Sequence, residues 1–105
     1  MLGNAFQPAV LGQTTCSVVG TSTFFPVPGN GDCFIVYNSS TTVICFIEST
    51  GGSNGVTAAT VAGSMAIAPG LTSPVLARHP GDTGISAIGS AAGPTNLYVS
   101  VGVET

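Results

Sequence analysis

The chain has 105 residues, enough for one domain with one modest hydrophobic core. Charged side chains make up only 5% of it, against about 25% in an average soluble domain; lysine is absent and the formal charge is −3. One arginine cannot displace the counterions of a polyphosphate backbone, so no nucleic-acid partner is expected, and acid–base catalysis lacks positioned titratable groups.

In chain order, residues 1–13 resemble none of the later segments and read as an extended N-terminal arm, leaving residues 14–105 as a single β-sandwich domain. The opening stretch carries no basic residue, and Gly3 and Pro8 interrupt its apolar positions, so no targeting segment is expected. No apolar run approaches the roughly 20 residues that span a bilayer, so no membrane association is expected either. A first strand is predicted over Thr15 to Ser22. The following Phe24-Phe25-Pro26-Val27-Pro28-Gly29-Asn30-Gly31, with two prolines and two glycines, predicts a loop.

Asp32 to Tyr37 and Thr41 to Glu48 are rich in β-formers and flank the polar Asn38-Ser39-Ser40, which predicts a hairpin. Both arms are apolar at odd and even positions. Cys33, Ile35 and Tyr37 alternate with Phe34 and Val36, and Val43, Cys45 and Ile47 alternate with Ile44 and Phe46. Such strands are covered on both faces: here one cover is a second sheet and the other is expected from a neighbouring subunit.

Ser49 to Gly55 predicts a loop, followed by strands at Val56 to Val61 and Met65 to Ala68. Pro69-Gly70 predicts a turn into Leu71 to Arg78, where Pro74 argues for an edge strand or a bulge. His79-Pro80-Gly81-Asp82 predicts another loop before a strand at Gly84 to Ile88. The last run, Thr95 to Val103, places Leu97, Val99, Val101 and Val103 on one face and Tyr98, Ser100 and Gly102 on the other. The sum is an all-β fold, a small antiparallel β-sandwich or jelly-roll-like barrel of seven or eight short strands.

Chemistry-bearing patterns are scarce. Asn30 and Asp32 offer too few oxygens for calcium, and no glycine-rich phosphate cradle opens a helix. One histidine and three dispersed cysteines do not make a zinc site. Cys16, Cys33 and Cys45 each lie in an apolar run, where a thiol behaves as a small hydrophobe and its pKa rises. No catalytic residue, metal or cofactor is expected. Candidate interface residues remain: Phe6, Leu11, Phe24, Phe25, Phe34, Phe46, Arg78 and His79. Phe24-Phe25 reads either as a core plug or as an anchor for a partner's pocket. Arg78 reads either as a solubilising charge at a strand end or as a specificity contact, to Glu48, Asp82 or a partner chain.

The stretch from Phe34 to Val103 carries Tyr37-Asn38-Ser39, Val56-Thr57-Ala58, Met65 to Gly70, Pro74-Val75-Leu76, Ile85 to Ile88 and Leu97 to Gly102. In this order it resembles small virion structural proteins of tailed bacteriophages, over about two thirds of the chain. The resemblance implies pairing of the Ile85 strand with the terminal strand, and a decoration or cement role at the capsid surface of a particle assembled in the bacterial host cytoplasm. Its implied partners are the major capsid protein and further copies of the chain, a trimer being favoured. A tail, fibre-base or head–tail junction part is the alternative within the virion. A glycan-binding host-recognition module is the alternative outside that class; Tyr37 and Tyr98 are its only tyrosines, and there is no tryptophan.

Overall fold

A computed structural model describes residues 5–52 and 55–104. Eight strands run in the order β1 (Phe6–Val18), β2 (Thr23–Pro26), β3 (Cys33–Asn38), β4 (Cys45–Thr50), β5 (Met65–Ile67), β6 (Leu76–Ala77), β7 (Gly84–Gly89) and β8 (Thr95–Glu104). They form two four-stranded sheets, ordered β1-β8-β3-β6 and β2-β7-β4-β5. All the pairings are antiparallel, and β1 with β8, β2 with β7, β3 with β6 and β4 with β5 are nested in sequence like the two limbs of one long hairpin. A long double-stranded ribbon wrapped into two facing sheets is the jelly roll, the more specific of the two architectures expected from the strand spacing.

Period-two alternation sets the facing. In β8, Leu97, Val99 and Val101 are fully buried while Tyr98 and Ser100 face outward, as the sequence pattern requires. Each such burial contributes roughly 1.5–3 kcal/mol. They meet Cys16 and Val18 of β1, Phe34 and Val36 of β3, and Cys45, Ile47, Ile67, Ile85 and Ala87 from the opposite sheet in one core. Two loops close as expected. Leu71 N–H donates to Ala68 C=O across Pro69-Gly70, and Asp82 N–H donates to His79 C=O across Pro80-Gly81. Gly70 and Gly81 take φ of 73° and 88°, so each turn has proline second and a left-handed glycine third, the type II pattern.

Four local expectations are corrected. Asp32–Tyr37 and Thr41–Glu48 are not a hairpin: β3 pairs with β6 and β8, whereas β4 lies in the other sheet with β5 and β7. The intervening residues carry the chain across the sandwich instead of reversing it within a sheet. For the same reason the Ile85 strand, β7, does not pair with β8. Phe24-Phe25-Pro26 is not a loop but most of β2, an edge strand whose partner β7 lies on one side only, where proline is tolerated. Val56–Val61 is not a strand. It belongs to a strap over the outer face of the second sheet, pinned by Thr57 N–H to Thr50 Oγ1 (2.7 Å), Ala59 N–H to Ser22 Oγ (2.9 Å) and Ser64 Oγ–H to Glu48 Oε2 (2.7 Å). The outer cover of β4 is thus supplied by the chain itself.

Residues 6–13, expected as part of an arm, form the first half of β1, where Phe6, Gln7 and Pro8 pair with Glu104, Val103 and Gly102. Residues 1–4 of that segment, and residues 53–54 of the loop from Ser49 to Gly55, lie outside the described residues. The sheet edge predicted from Pro74 is present, since β6 is the short last strand of its sheet.

One buried polar side chain holds the crossover. Asn38, with no exposed surface, donates from Nδ2 to Val43 C=O (2.8 Å) and Ile67 C=O (2.9 Å), and its Oδ1 accepts from Ser40 N–H (3.0 Å). Its backbone accepts from Gly70 N–H and donates to Leu71 C=O. Replacing the side chain leaves two carbonyls and one N–H short of partners, each costing about 1–3 kcal/mol. Asn38→Ala is expected to lower unfolding free energy by about 3 kcal/mol or more in urea titrations, and Asn38→Asp to do no better, since a carboxylate cannot donate to either carbonyl. A loss below about 1 kcal/mol for both would show that the crossover does not depend on this amide.

Candidate interaction surface

The residues singled out from sequence separate into buried and exposed sets. Phe34 is a core residue at 3% exposure and is corrected as an interface candidate; its edge reaches only the floor of an open groove between β5 and β6. Phe25 is half-buried against the core, the plug of the two readings. Phe24 is half-buried with its ring against Gly51 and Gly84, and Phe46 is half-buried on the outer face of the second sheet. Phe6 lies over Gly102, where any Cβ would collide with the Phe6 ring and with Gln7 C=O.

Leu11 behaves differently. Between the pairs Pro8–Gly102 and Gln13–Ser100, β1 has four residues against the single Val101 of β8. This large bulge turns Ala9 toward the core and lifts Val10 and Leu11 into solvent at 84% and 91% exposure. Leu11 also has a φ of 54°, the one non-glycine among the described residues in the left-handed region. That conformation costs a residue with a Cβ on the order of 1–2 kcal/mol. Val10, which the sequence reading did not single out, is the second exposed side chain of the same bulge. The apolar Ala9-Val10-Leu11 followed by Gly12 is its only sequence mark.

Arg78, which follows the last residue of β6, bonds backbone carbonyls and not Glu48 or Asp82. Its Nη1 donates to Pro28 C=O (2.6 Å) and Gly31 C=O (3.1 Å), and its Nη2 to Val27 C=O (3.4 Å). Its backbone N–H donates to Asp32 C=O. Glu48 and Asp82, the acidic partners considered, bind Ser64 and Ser49 hydroxyls instead. The planar fork matches three converging carbonyls of the Pro-Gly loop before β3, which has few ladder bonds of its own. That loop in turn supports the bulge, because Asn30 Nδ2 donates to Val10 C=O (3.4 Å). Arg78, the 27–31 loop and Leu11, far apart in sequence, therefore meet at one end of the sandwich.

His79 is exposed, with Nδ1 3.6 Å from Asp82 Oδ2, and lines a shallow cleft of about 230 Å³ with Asp32, Arg78 and Asp82. The guanidinium facing that cleft is already engaged by backbone carbonyls, so it is not presented to an anion. Among the described residues no group of three or more His, Cys, Asp or Glu side chains comes together to hold a metal, and no helix is long and apolar enough to cross a membrane. Cys16, Cys33 and Cys45 are free and buried. Burial pushes the Cys16 and Cys45 thiols up to about 11, and burial followed by the nearby Asp32 and Glu104 charges raises Cys33. Comparison with protein-family models, characterised proteins and solved structures finds no match.

Two outcomes follow from this geometry. Arg78→Met is expected to cost about 1–3 kcal/mol of stability, and Arg78→Lys to recover less than half of it, because a point ammonium cannot meet three carbonyls in the guanidinium plane; full recovery by lysine in denaturant melts would contradict the clamp. At a pH near 8 a thiol titrating near 11 is about 99.9% neutral and so a poor nucleophile. Iodoacetamide should therefore leave the native protein unmodified and add three groups in urea, counted by mass spectrometry. Rapid native labelling of Cys16 or Cys45 would show that the core opens readily.

Proposed function

We propose that this chain is a capsid decoration protein of a tailed bacteriophage, docking on the outer surface of the head through the Val10–Leu11 bulge. The observation that carries the reading is Leu11, a large apolar side chain at 91% exposure on left-handed backbone. A chain gains nothing alone by straining its backbone to keep leucine in water; the arrangement is favourable once a partner's pocket removes that surface from solvent. Support also comes from the sequence resemblance to virion proteins and from an architecture that capsid domains share with lectins and cupins. Fold alone does not decide between those uses.

In this reading the major capsid protein supplies the pocket, the Arg78-clamped loop keeps the bulge presented, and many copies reinforce one shell. A homo-oligomer, with a trimer favoured, would engage neighbouring capsid subunits at once and multiply a modest single-site affinity. Burying Leu11 is worth about 2 kcal/mol, or roughly 30-fold in affinity.

The test uses phage heads stripped of, or assembled without, this protein. Wild-type chain should co-sediment with them and raise their resistance to heat. Leu11→Asp should bind at least about 30-fold more weakly, while Leu11→Gly, which relieves the strained φ but removes the anchor, should be more stable yet bind poorly. Heads bound equally by wild type and Leu11→Asp would remove the bulge from the attachment, and no binding by either would remove the decoration role.

A further inference from the structure

The outer face of the first sheet carries a second surface, separate from the bulge. Register places Thr15 of β1 opposite Tyr98 of β8, and Tyr98 opposite Tyr37 of β3; Thr72 bridges Tyr37 from beyond the sheet edge. These four side chains make one cross-strand row. The adjoining rows are Gln13–Ser100–Ile35 on one side and Ser17–Asn96 on the other. The two tyrosine rings, the only ones in the chain, lie with centroids 6.2 Å apart and planes 22° from parallel. Tyr37 is 40% exposed and Tyr98 half-buried between its neighbours, so the pair forms a continuous aromatic ledge about two rings wide.

Its surroundings are uncharged and, apart from the half-buried Ile35, polar. No Asp, Glu, Arg or His stands in the three rows. Neither phenol hydroxyl, nor the side chains of Gln13, Thr15, Ser17, Asn96 or Ser100, makes a hydrogen bond to another described residue. The face therefore offers stacking area ringed by amide and hydroxyl groups that both donate and accept. A charged ligand would find no counter-charge there. A flat apolar partner would leave those polar groups unpaired at a cost of about 1–3 kcal/mol each. A ligand with C–H faces to lie on aromatic rings and hydroxyls along its rim meets both demands.

We propose that this tyrosine face binds neutral oligosaccharides, with pyranose rings against Tyr37 and Tyr98 and their hydroxyls bonded to Thr15, Gln13, Asn96 and Ser100. The strands hold both rings on a rigid sheet, which lowers the ordering cost of binding. The site adjoins the bulge only at Gln13, so a chain docked through Leu11 would keep Tyr37, Tyr98 and Asn96 open to a surface glycan.

Because the chain has no tryptophan, its emission on excitation at about 280 nm, where phenylalanine does not absorb, comes from this tyrosine pair alone. Cellohexaose, maltohexaose and tetra-N-acetylchitotetraose are titrated into the full chain while tyrosine fluorescence and backbone amide NMR shifts are followed. At least one should give a saturable change with Kd of about 1 mM or tighter, with shifts centred on residues 13–17, 35–37 and 96–100. Tyr37→Ala and Tyr98→Ala should each weaken binding at least tenfold by NMR. Thr15→Arg, a change at an exposed position that drapes a long side chain over Tyr98, should do the same without unfolding the protein. No saturable response to any of the three sugars overturns the proposal, as does binding unaffected by Thr15→Arg. A third contrary result is dissociation of an oligomer by Thr15→Arg with no sugar response, which would make the face a contact between copies of the chain.

Discussion

Everything in this fold hangs on the passage of the chain from one sheet to the other after β3, and that passage is held by the buried amide of Asn38. Its three side-chain hydrogen bonds join the start of the crossover at Ser40, its far end at Val43 and the last residue of β5 at Ile67. Its backbone adds Gly70 and Leu71, so the turn that leads toward β6 is fixed to the same point. Only an amide can donate twice and accept once from a single planar group here, and its burial makes those bonds obligatory. Once β3 and β4 are sent to opposite sheets, β6 and β8 have an edge to join on one side, and β5 and β7 on the other.

A chain with so few charges solves its remaining polar problems with hydroxyls. Ser73 Oγ accepts from Val36 N–H and donates to Pro74 C=O, Ser90 Oγ accepts from Ile44 N–H, and Thr50 Oγ1 and Ser22 Oγ hold the strap. Each satisfies backbone that a short, irregular edge leaves outside the ladder. Even the lone guanidinium is used this way, against carbonyls and not against a carboxylate. Such bonds are short-ranged and neutral at one or both ends, so they are little screened by salt compared with surface ion pairs. The hydroxyl of Ser86 is the one buried side-chain polar atom among the described residues left without a partner.

What could be read from the sequence were features whose cause is local. The β8 facing follows from period-two alternation, and the two Pro-Gly turns follow from the φ each residue permits. The class of fold follows from strand formers broken at short intervals. What misled was pairing. Of the six strand pairings only β4 with β5 joins chain neighbours. Two β-rich runs around Asn38-Ser39-Ser40 satisfy every short-range rule for a hairpin, and nothing nearby states that Asn38 is needed inside. Apolar residues on both faces of β4 were a true sign of a second cover, but composition does not say whether that cover is a neighbour or the chain's own strap. Val56–Val61 has β-forming side chains but joins no ladder, and the second side of β4 is taken by β5.

The candidate surface was legible in part for the same reason. Arg78 stood out because it was the only cation of its kind, yet its role depends on carbonyls some 50 positions earlier that carry no side-chain signal. Leu11 looked like one more apolar residue in an arm; its exposure arises because β1 has four residues where β8 has one, a mismatch visible only after pairing. Bulges in edge strands commonly serve to spoil unwanted pairing. This one raises valine and leucine where serine or asparagine would have been cheaper to expose and, for asparagine, easier on left-handed backbone. A device needed only to blunt an edge has no use for apolar tips, so the choice of side chains, more than the bulge itself, is what points to a partner.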